Sequence, residues 1–397
     1  MTRISPDVDA PTAPHSKKAL YALRIASRPR VLTLNAGSSS LKWALYEGPE
    51  RMAAGAIERV GADVAYHRAA LGRVLDAPGA PDLSRVDGVG HRVVHGGPHH
   101  DRAARVTAAL LADLRPLVDL DPDHMPAELA IIDEVRHRAP DLPQVACFDT
   151  AFFIDLPHIA RLLPIPRRYF DDGVRRYGFH GLSYTYLMDA LGRIDQAASR
   201  GRVILAHLGS GASMSAVRDG RCMETTMGYT PSSGLVMGTR TGDLDPGVLL
   251  HLMRGGLSVD GLDELVNHQS GLLGVSGSSA DMRDLLAVEA HDRPAADAVG
   301  LFCYQATMAI GALAATIGGI DTLVFAGGIG ENAPEVRGRI AARLAHLGVE
   351  MDSVRNQAGL AVISTDESRT VVRVIHTNEE SVIARQTIAV LTDGDPT

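Results

Sequence analysis

Several features are scarce in this chain, and each scarcity argues against a class of protein. The three cysteines, Cys147, Cys222 and Cys303, lie far apart and form no C-x-x-C pair, so neither a disulfide framework nor a structural zinc site is expected. No apolar run approaches the roughly 18 residues that span a bilayer, so no membrane contact is expected. Acidic residues outnumber basic ones, 47 against 39, which argues against non-specific binding to nucleic acid.

Residues 1–30 lack a continuous apolar segment and mix Pro, Asp, Ser and Arg. We interpret them as a disordered extension rather than a signal peptide, and Asp7 and Asp9 count against a transit peptide. Hydrophobic residues make up 45% of the sequence and charged residues 22%, which is typical of a folded protein. We therefore expect a cytoplasmic protein of two or three domains.

One pattern occurs twice along the chain. Residues 31–34 and 41–46 predict two strands around a tip rich in Gly and Ser, and residues 203–206 and 214–217 do the same around a second tip. Aligning Gly37 with Gly209 gives an offset of 209 − 37 = 172 residues. The repetition indicates two related halves that each open with a hairpin.

The rest of the chain alternates strands with helices. Strands are predicted at 86–94, 144–148, 322–326 and 371–375, and helices at 128–138, 295–318, 334–347 and 379–391. This alternation predicts an α/β architecture.

A glycine-rich loop is predicted at 327–332, between a strand and a helix. Glycines let backbone N–H groups approach a phosphate, and a helix N-terminus favours an anion. The segment also matches G-x-G-x-x-G/A weakly, with Glu350 and Asp352 at the distance of a ribose-binding acid. A dinucleotide-binding oxidoreductase therefore stays open at this point, as does a purely structural turn. The motif G-x-x-x-x-G-K-[ST] is missing, which excludes a simple P-loop kinase.

Polar side chains occur where predicted strands end. Asn35 and Lys42 belong to the first hairpin, and their groups suit phosphate oxygens and metal-bound water. Arg92 ends a strand before a glycine turn and could clamp a carboxylate or phosphate with two hydrogen bonds. Asp149 follows an apolar strand, at the edge where open α/β sheets bind ligands, and is a candidate for holding Mg²⁺. A β-turn at the tip and a capping role for Asp149 are the structural alternatives.

Two further candidates lie in glycine-rich stretches. His180 stands between two glycines, with a histidine satisfied within a turn as the alternative. Arg240 lies in the segment 227–247, which has no strong periodicity; such long loops are usually functional, and Arg240 is its natural anion ligand. Four histidines occur close together: His91, His95, His99 and His100. We interpret them as part of a substrate-facing loop rather than a metal site, because they lack the spacing of metal ligands.

These motifs, taken in order, resemble those of the acetate kinase family. Residues 34–42 resemble the family's first signature, and six later segments are similar to further family segments: 90–97, 148–152, 176–181, 237–246, 327–332 and 377–380. The resemblance covers about residues 31–390. It implies a duplicated ribonuclease-H-like fold of the kind shared by acetate and sugar kinases, Hsp70 and actin. The implied units are an N-terminal α/β domain of residues 31–178 plus 380–397 and a C-terminal nucleotide-binding domain of residues 179–379.

The resemblance also implies roles for individual residues. Asp149, His180 and Arg240 correspond to catalytic residues, Arg92 to a substrate-binding arginine, and Asn35 and Glu379 to residues associated with Mg²⁺. The implied nucleotide-binding residues are Lys42, His207, Leu208, Gly209, Ser210, Gly211, Asp281, Met282, Arg283, Gly328, Ile329, Gly330, Glu331 and Asn332. The implied reaction is reversible transfer of the ATP γ-phosphoryl group to acetate, giving acetyl phosphate and ADP, with Mg²⁺ (or Mn²⁺) as cofactor in a homodimer.

Three positions depart from the family pattern. Ser210 replaces an Asn, Phe153 replaces a His, and Met125 replaces the Asn of a His-Asn-Pro run. We expect these changes to surround the substrate and phosphate regions, which leaves the acyl-chain preference open. Propionate is the first alternative substrate, and butyrate is the second. The alternative from a different functional class is a nucleotide-binding homologue with weak catalysis.

Overall fold

The computed structural model describes residues 28–37, 40–58, 64–77 and 80–392. The predicted extension therefore lies outside the described residues except for its last three positions, as do the hairpin-tip residues Ser38 and Ser39. Within the described residues, strands and helices alternate along most of the chain, which confirms the predicted α/β class.

The described strands form two sheets. The first contains β1 (Arg30–Ala36), β2 (Ser40–Glu47), β3 (Glu50–Glu58), β4 (Gly88–Val93), β5 (Ala104–Arg105) and β6 (Gln144–Phe148). The second contains β7 (Arg202–Leu208), β8 (Ala212–Arg218), β9 (Arg221–Thr225), β10 (Thr322–Ala326) and β11 (Val371–Val374). Their orders are β3-β2-β1-β4-β6-β5 and β11-β10-β7-β8-β9.

The two sheets repeat one topology. In each, the opening strand pairs antiparallel with a hairpin partner and parallel with a later strand: β1 with β2 and β4, and β7 with β8 and β10. Strand β7 begins 202 − 30 = 172 residues after β1 and ends 208 − 36 = 172 residues after it. The predicted duplication is therefore confirmed. Because β1, β4 and β6 run parallel, as do β7, β10 and β11, each sheet has one edge where carboxyl ends collect.

Helices cover the sheets, and the described ones are α1 (Val64–Asp76), α2 (Ala108–Leu114), α3 (Met125–Arg138), α4 (His158–Arg161), α5 (Arg168–Asp171), α6 (Gly181–Ile194), α7 (Gln196–Ser199), α8 (Pro246–Arg254), α9 (Val259–His268), α10 (Gly271–Ser276), α11 (Met282–Val288), α12 (Arg293–Ile317), α13 (Gly327–Asn332), α14 (Pro334–Ala341), α15 (Ser353–Gln357) and α16 (Glu379–Thr392). Short 3₁₀ turns lie at Leu83–Arg85, Arg115–Leu120, Asp149–Phe153 and Ala345–Leu347.

Two predicted elements differ from the structure. The segment 327–332, predicted as a loop, is the short helix α13, which opens at Gly327 with a φ of 76° and a hydrogen bond from the Gly327 N–H to the Glu331 carboxylate. The helix predicted at 334–347 ends at Ala341. The chain then tightens into a 3₁₀ turn that closes at Gly348, whose φ of 84° a glycine adopts without strain.

The long helix α12 corrects another expectation. The helix has 25 residues and is long and apolar enough to cross a membrane by length and composition, so the expectation that no run has this character is wrong. Side chains such as Phe302 and Leu313 from one face of α12 pack into the core beside the second sheet, and buried core helices commonly have this composition.

Helix α16 returns from the second half to the first sheet. It follows β11 in the chain but lies against β4, where a Cβ added to Gly90 would come within 2.1 Å of Thr387 Oγ1. Only glycine permits so close an approach of helix to strand. This packing carries Glu379, the first residue of α16, to the carboxyl edge of the first sheet. The predicted boundaries of the two domains remain a prediction.

Candidate active site

A cavity of about 240 Å³ lies between the carboxyl edges of the two sheets. Its lining includes the predicted catalytic residues His180 and Arg240 and the predicted metal-associated residues Asn35 and Glu379, but not Asp149. The complete lining is Asn35, Gly37, Ser40, Lys42, Arg92, Val94, His124, Phe179, His180, His207, Ser210, Gly211, Pro231, Arg240 and Glu379. A larger groove of about 870 Å³ lies beside β5 and helices α2 and α16, but it holds none of the predicted site residues. The smaller cavity, which we call the cleft, is therefore the candidate site.

Arg92 and Asp149 form a buried pair at the rear of the cleft. The Arg92 Nε and Nη2 groups donate to Asp149 Oδ2 over 2.9 and 2.6 Å, and Nη1 donates to the Ala36 carbonyl oxygen over 3.0 Å. The other Asp149 oxygen accepts from the Leu182 N–H over 3.3 Å. The pair forms because Arg92 is the next-to-last residue of β4 and Asp149 follows the neighbouring parallel strand β6, whose Cys147 is in register with Arg92. Asp149 thus orients Arg92 directly.

The charges at the rear of the cleft are coupled. Burial raises the pKa of Asp149; the Arg92 guanidinium opposes the rise, and the nearby Glu379 carboxylate adds to it. Burial would lower the pKa of Arg92, but the surrounding carboxylates outweigh it and the pKa rises. Arg92 therefore carries its charge at every physiological pH.

Oxygen ligands suitable for a divalent cation lie beside this pair. Asn35 Nδ2 donates to Glu379 Oε2 over 2.9 Å and to Glu380 Oε1 over 3.1 Å. Burial alone would raise the pKa of Glu379, but Arg92, His207 and Asn35 outweigh it, so the pKa falls and the carboxylate is ionised. Within the described part of the chain, no three His, Cys, Asp or Glu side chains form a metal cage. Mg²⁺ usually takes only one or two protein carboxylates beside water and phosphate oxygens, so this donor set fits it.

His180 is held in a strained backbone conformation. It adopts a φ of 62° at the N-terminus of α6, and a Cβ on the next residue, Gly181, would come within 1.9 Å of the Asp149 carbonyl oxygen. His180 Nδ1 lies 2.8 Å from Ser213 Oγ, and the ring stacks on His207 with centroids 4.4 Å apart. Burial, His207 and the two arginines of the cleft lower the pKa of His180 well below its usual value. The imidazole is therefore neutral at pH 7 and acts through hydrogen bonds.

Arg240 differs from Arg92 in its partners. Its Nη1 donates to the Pro231 carbonyl oxygen over 3.1 Å, and no Asp or Glu of the described residues lies within ion-pair distance of it. Burial lowers its pKa from the usual value, although a guanidinium keeps its proton in proteins. A Cβ on Gly211 would lie 3.3 Å from His180 Nε2 and 3.8 Å from Arg240 Nη1, so both groups converge on the second hairpin tip. Arg240 is a partly buried positive charge available to an anion.

The second hairpin tip lies against the N-terminus of α13. A Cβ on Gly209 would come within 3.8 Å of the Gly328 N atom, and one on Gly327 within 2.7 Å of the Leu208 carbonyl oxygen. The predicted nucleotide segments 207–211 and 328–332 are therefore neighbours. Ile329 lies within α13, and Asn332 Nδ2 donates to the Gly328 carbonyl oxygen over 2.9 Å.

Other predicted nucleotide residues lie outside the cleft lining. The Glu331 carboxylate accepts from the N–H groups of Gly327 and Thr377 over 3.0 Å each and pairs with His376. It thereby ties α13 to the segment before Glu379. Asp281 caps the N-terminus of α11, which begins at Met282, and pairs with the exposed Arg283. Roles for these residues in nucleotide binding remain predictions.

The departures from the family pattern divide into two groups. Ser210 lines the cleft, as expected. Met125 and Phe153 do not, which corrects the expectation that all three changes surround the substrate: Met125 is 0% exposed in the core, and the Phe153 ring packs beneath Gly178. These two substitutions therefore act on packing.

Several cleft residues escaped the sequence interpretation. Val94, Phe179 and Pro231 are the apolar side chains of the lining, which we call the apolar wall, and Val94 could have been found from its place two residues after Arg92 at the end of the strand predicted at 86–94. Arg337 was also missed: it is 1% exposed and donates to the carbonyl oxygens of Gly330 and Glu331. It thereby holds the C-terminal end of α13 in place.

Comparisons with known proteins agree with this geometry. The chain matches the model of the Acetokinase family over residues 63–385. An acetate kinase of Methylocella silvestris is 43% identical, with 91% of this chain and 98% of that protein covered. A propionate kinase of Citrobacter rodentium is 41% identical, with 91% and 96% covered. The crystal structure of an acetate kinase from Porphyromonas gingivalis superposes with a TM-score of 0.82 at 35% identity, covering 91% of this chain and all of that one. The chain belongs to the acetokinase family.

Proposed function

We propose that the protein is an acetate kinase that transfers the ATP γ-phosphoryl group reversibly to acetate, giving acetyl phosphate and ADP. The observation that carries the proposal is the single cleft where Arg92, His180 and Arg240 meet the oxygen ligands Asn35 and Glu379. Membership of the acetokinase family supports the reaction class and removes the oxidoreductase alternative.

The proposed mechanism relies on positioning and charge neutralisation. A carboxylate substrate is ionised at pH 7, so it needs no general base to attack phosphorus. Arg240 pairs with the negatively charged groups of the substrates, and Arg92 binds the carboxylate of the acid. The neutral His180 donates a hydrogen bond to a phosphoryl oxygen. Glu379 and Asn35 would hold Mg²⁺, which supplies neutralisation of phosphate charge. Lys42 adds a positive charge at the first hairpin.

Acetate is the proposed acid because the cleft is small, about 240 Å³. Val94, Phe179 and Pro231 lie in the same cavity as the two arginines. One extra methylene changes discrimination by only about 10–200-fold in such a pocket. We therefore expect propionate to be a slower substrate and butyrate to be slower still. The relative named as a propionate kinase keeps propionate as the second candidate for the main acid.

The test uses purified protein with Mg-ATP and acetate, propionate or butyrate, and traps the acyl phosphate with hydroxylamine. Acetate should give the highest kcat/KM. A higher kcat/KM for propionate would identify propionate as the main substrate. If no acid gives a trapped product, the result would favour a nucleotide-binding homologue instead.

We also propose a cytoplasmic homodimer that needs no membrane or nucleic acid. The three cysteines are free and buried, as suits a reducing compartment. Tyr304 and Met308, about half exposed, lie one turn apart on α12 and offer an apolar face to a second copy. Light scattering should give the mass of a dimer, and a monomer mass would contradict the assembly.

A further inference from the structure

Glu128 is a buried acid that the proposed mechanism does not use. It lies in the first turn of α3, four residues after the cleft residue His124, and its side chain is 0% exposed. A buried carboxylate is costly unless charges and hydrogen bonds compensate it, so its contacts matter.

Both oxygens of Glu128 face donors on β4 or just beyond it. Oε2 accepts from the Val94 N–H over 2.9 Å, and Oε1 lies 3.4 Å from Arg92 Nη1. Arg92 and Val94 are the charged and the apolar cleft residues contributed by this part of the chain. One side chain therefore contacts both the cation and the wall proposed to meet the acid.

Glu128 completes the fixation of the Arg92 guanidinium. Asp149 occupies the Nε and Nη2 edge, whereas Nη1 is shared between the Ala36 carbonyl oxygen and Glu128. The guanidinium is thus held by groups from β1, from the end of β6 and from α3. Without Glu128, Arg92 Nη1 would keep only its hydrogen bond to the Ala36 carbonyl oxygen, and α3 would no longer hold this end of the guanidinium.

We propose that Glu128 is a positioning residue for the carboxylate substrate, because it sets the pose of Arg92 and anchors Val94 at the same time. This inference rests on the proposed function and deepens it. It predicts that Glu128 governs the acid rather than the nucleotide, since neither of its two contacts belongs to the segments 207–211 and 328–332.

The protonation of Glu128 supplies a signature that a packing role lacks. Burial raises the pKa of Glu128 to about 8; Arg92 and the Val94 N–H oppose the rise, while Asp121 and Asp149 add to it. Above that pH the carboxylate pairs fully with Arg92, and below it the protonated acid resembles a glutamine.

The experiment compares wild type with Glu128→Gln, using hydroxylamine trapping from pH 6.5 to 9.5. At pH 9 the KM for acetate should rise about tenfold in the variant, the scale of one charge-assisted hydrogen bond, while the KM for ATP changes by less than about twofold. At pH 6.5 the difference in the KM for acetate should shrink below about threefold. Glu134→Gln is the matched control, because it makes the same change on α3 at a residue that pairs with Arg138.

Three results would overturn the inference. An unchanged KM for acetate at every pH would remove any role, and a lowered KM would show that Glu128 merely repels the anion. Equal rises in both KM values would show a general loss of structure. If the wild type is active, any of these results overturns the inference about Glu128 and leaves the proposed function standing. If the wild type forms no acyl phosphate, both the proposed function and the inference fail.

Discussion

At the scale of single residues, the two arginines of the cleft have different surroundings. Arg92 pairs with Asp149 and also contacts Glu128, so its charge already has an acidic partner within the protein. Arg240 donates to a carbonyl oxygen and has no carboxylate partner among the described residues. A partly buried cation without a paired carboxylate is less well stabilised in the free protein and gains from the arrival of an anionic substrate. Arg240 should therefore contribute most to catalysis, and Arg92 to the placement of the acid.

The first prediction concerns Arg240. Replacement by Ala should lower kcat by about 10²–10³-fold, the range found when one preorganised donor to developing charge is removed. The fold should persist, because the substitution breaks no ion pair. Steady-state kinetics with a thermal melt as control would check both points, and turnover near that of the wild type would contradict the role.

A second prediction concerns stability and pH. The pKa of Glu128 rises on folding from its ordinary value of 4.5 to about 8. Between these values the native state binds more protons than the unfolded state, so this group makes the free energy of unfolding fall as pH increases from about 4.5 to 8. Glu128→Gln lacks the effect. The difference in unfolding free energy between wild type and variant should decline over that window and level off above it. A difference independent of pH, measured by urea unfolding, would contradict the assignment.

At the scale of elements, the contact between α16 and β4 controls where Glu379 lies. A Cβ on Gly90 would meet Thr387 Oγ1 at 2.1 Å and Ile383 Cγ2 at 2.7 Å. Neither atom can move far, because both side chains are buried at the same interface. The helix itself would have to shift.

The third prediction follows from this contact. Gly90→Ala should destabilise the protein by about 1–3 kcal/mol, the cost of overpacking a well-packed core, and should also weaken Mg²⁺-dependent activity. Gly72→Ala is the control, since its Cβ would meet only ordinary contacts at 3.6 Å within α1. It should be neutral or stabilise by up to about 1 kcal/mol through helix propensity. Equal melting temperatures for the two variants would contradict the account.

The sequence predicts elements better than it predicts their contacts. Strands 144–148 and 322–326 are found at their predicted bounds because each is apolar after its first residue and packs inside a sheet. Helix α13 was missed because its glycines weaken the helical pattern, while a hydrogen bond from the Gly327 N–H to the Glu331 carboxylate supports it. Glu128 was missed because an acid near a helix start usually signals solvent exposure or a favourable dipole contact. Its partner Arg92 lies 36 residues away, a distance that only the tertiary fold closes.

At the scale of the whole molecule, the cleft exists because distant segments meet. Asn35 lies near the end of β1 in the first sheet, and Glu379 follows the last strand of the second, 344 residues later. The resemblance to a known family supplied this pairing, because no local pattern links the two residues.

The fourth prediction tests that pairing as a metal site. Glu379→Gln should weaken the binding of Mn²⁺ in the presence of ADP by about 10–100-fold, since the charged oxygen ligand is lost. Electron paramagnetic resonance of free Mn²⁺ would measure the change without relying on activity. Glu134→Gln should bind Mn²⁺ as the wild type does, and equal affinities in all three proteins would place the metal elsewhere.

The central claim is that one cleft joins the γ-phosphoryl group of ATP to a carboxylate. Phosphorus-31 NMR of the wild-type protein with Mg-ATP and acetate tests it directly, because acyl phosphate, inorganic phosphate and ADP give separate signals. We predict that acetyl phosphate and ADP appear in equal amounts and that adding both products regenerates ATP. Formation of inorganic phosphate without acyl phosphate, or unchanged ATP, would contradict the account.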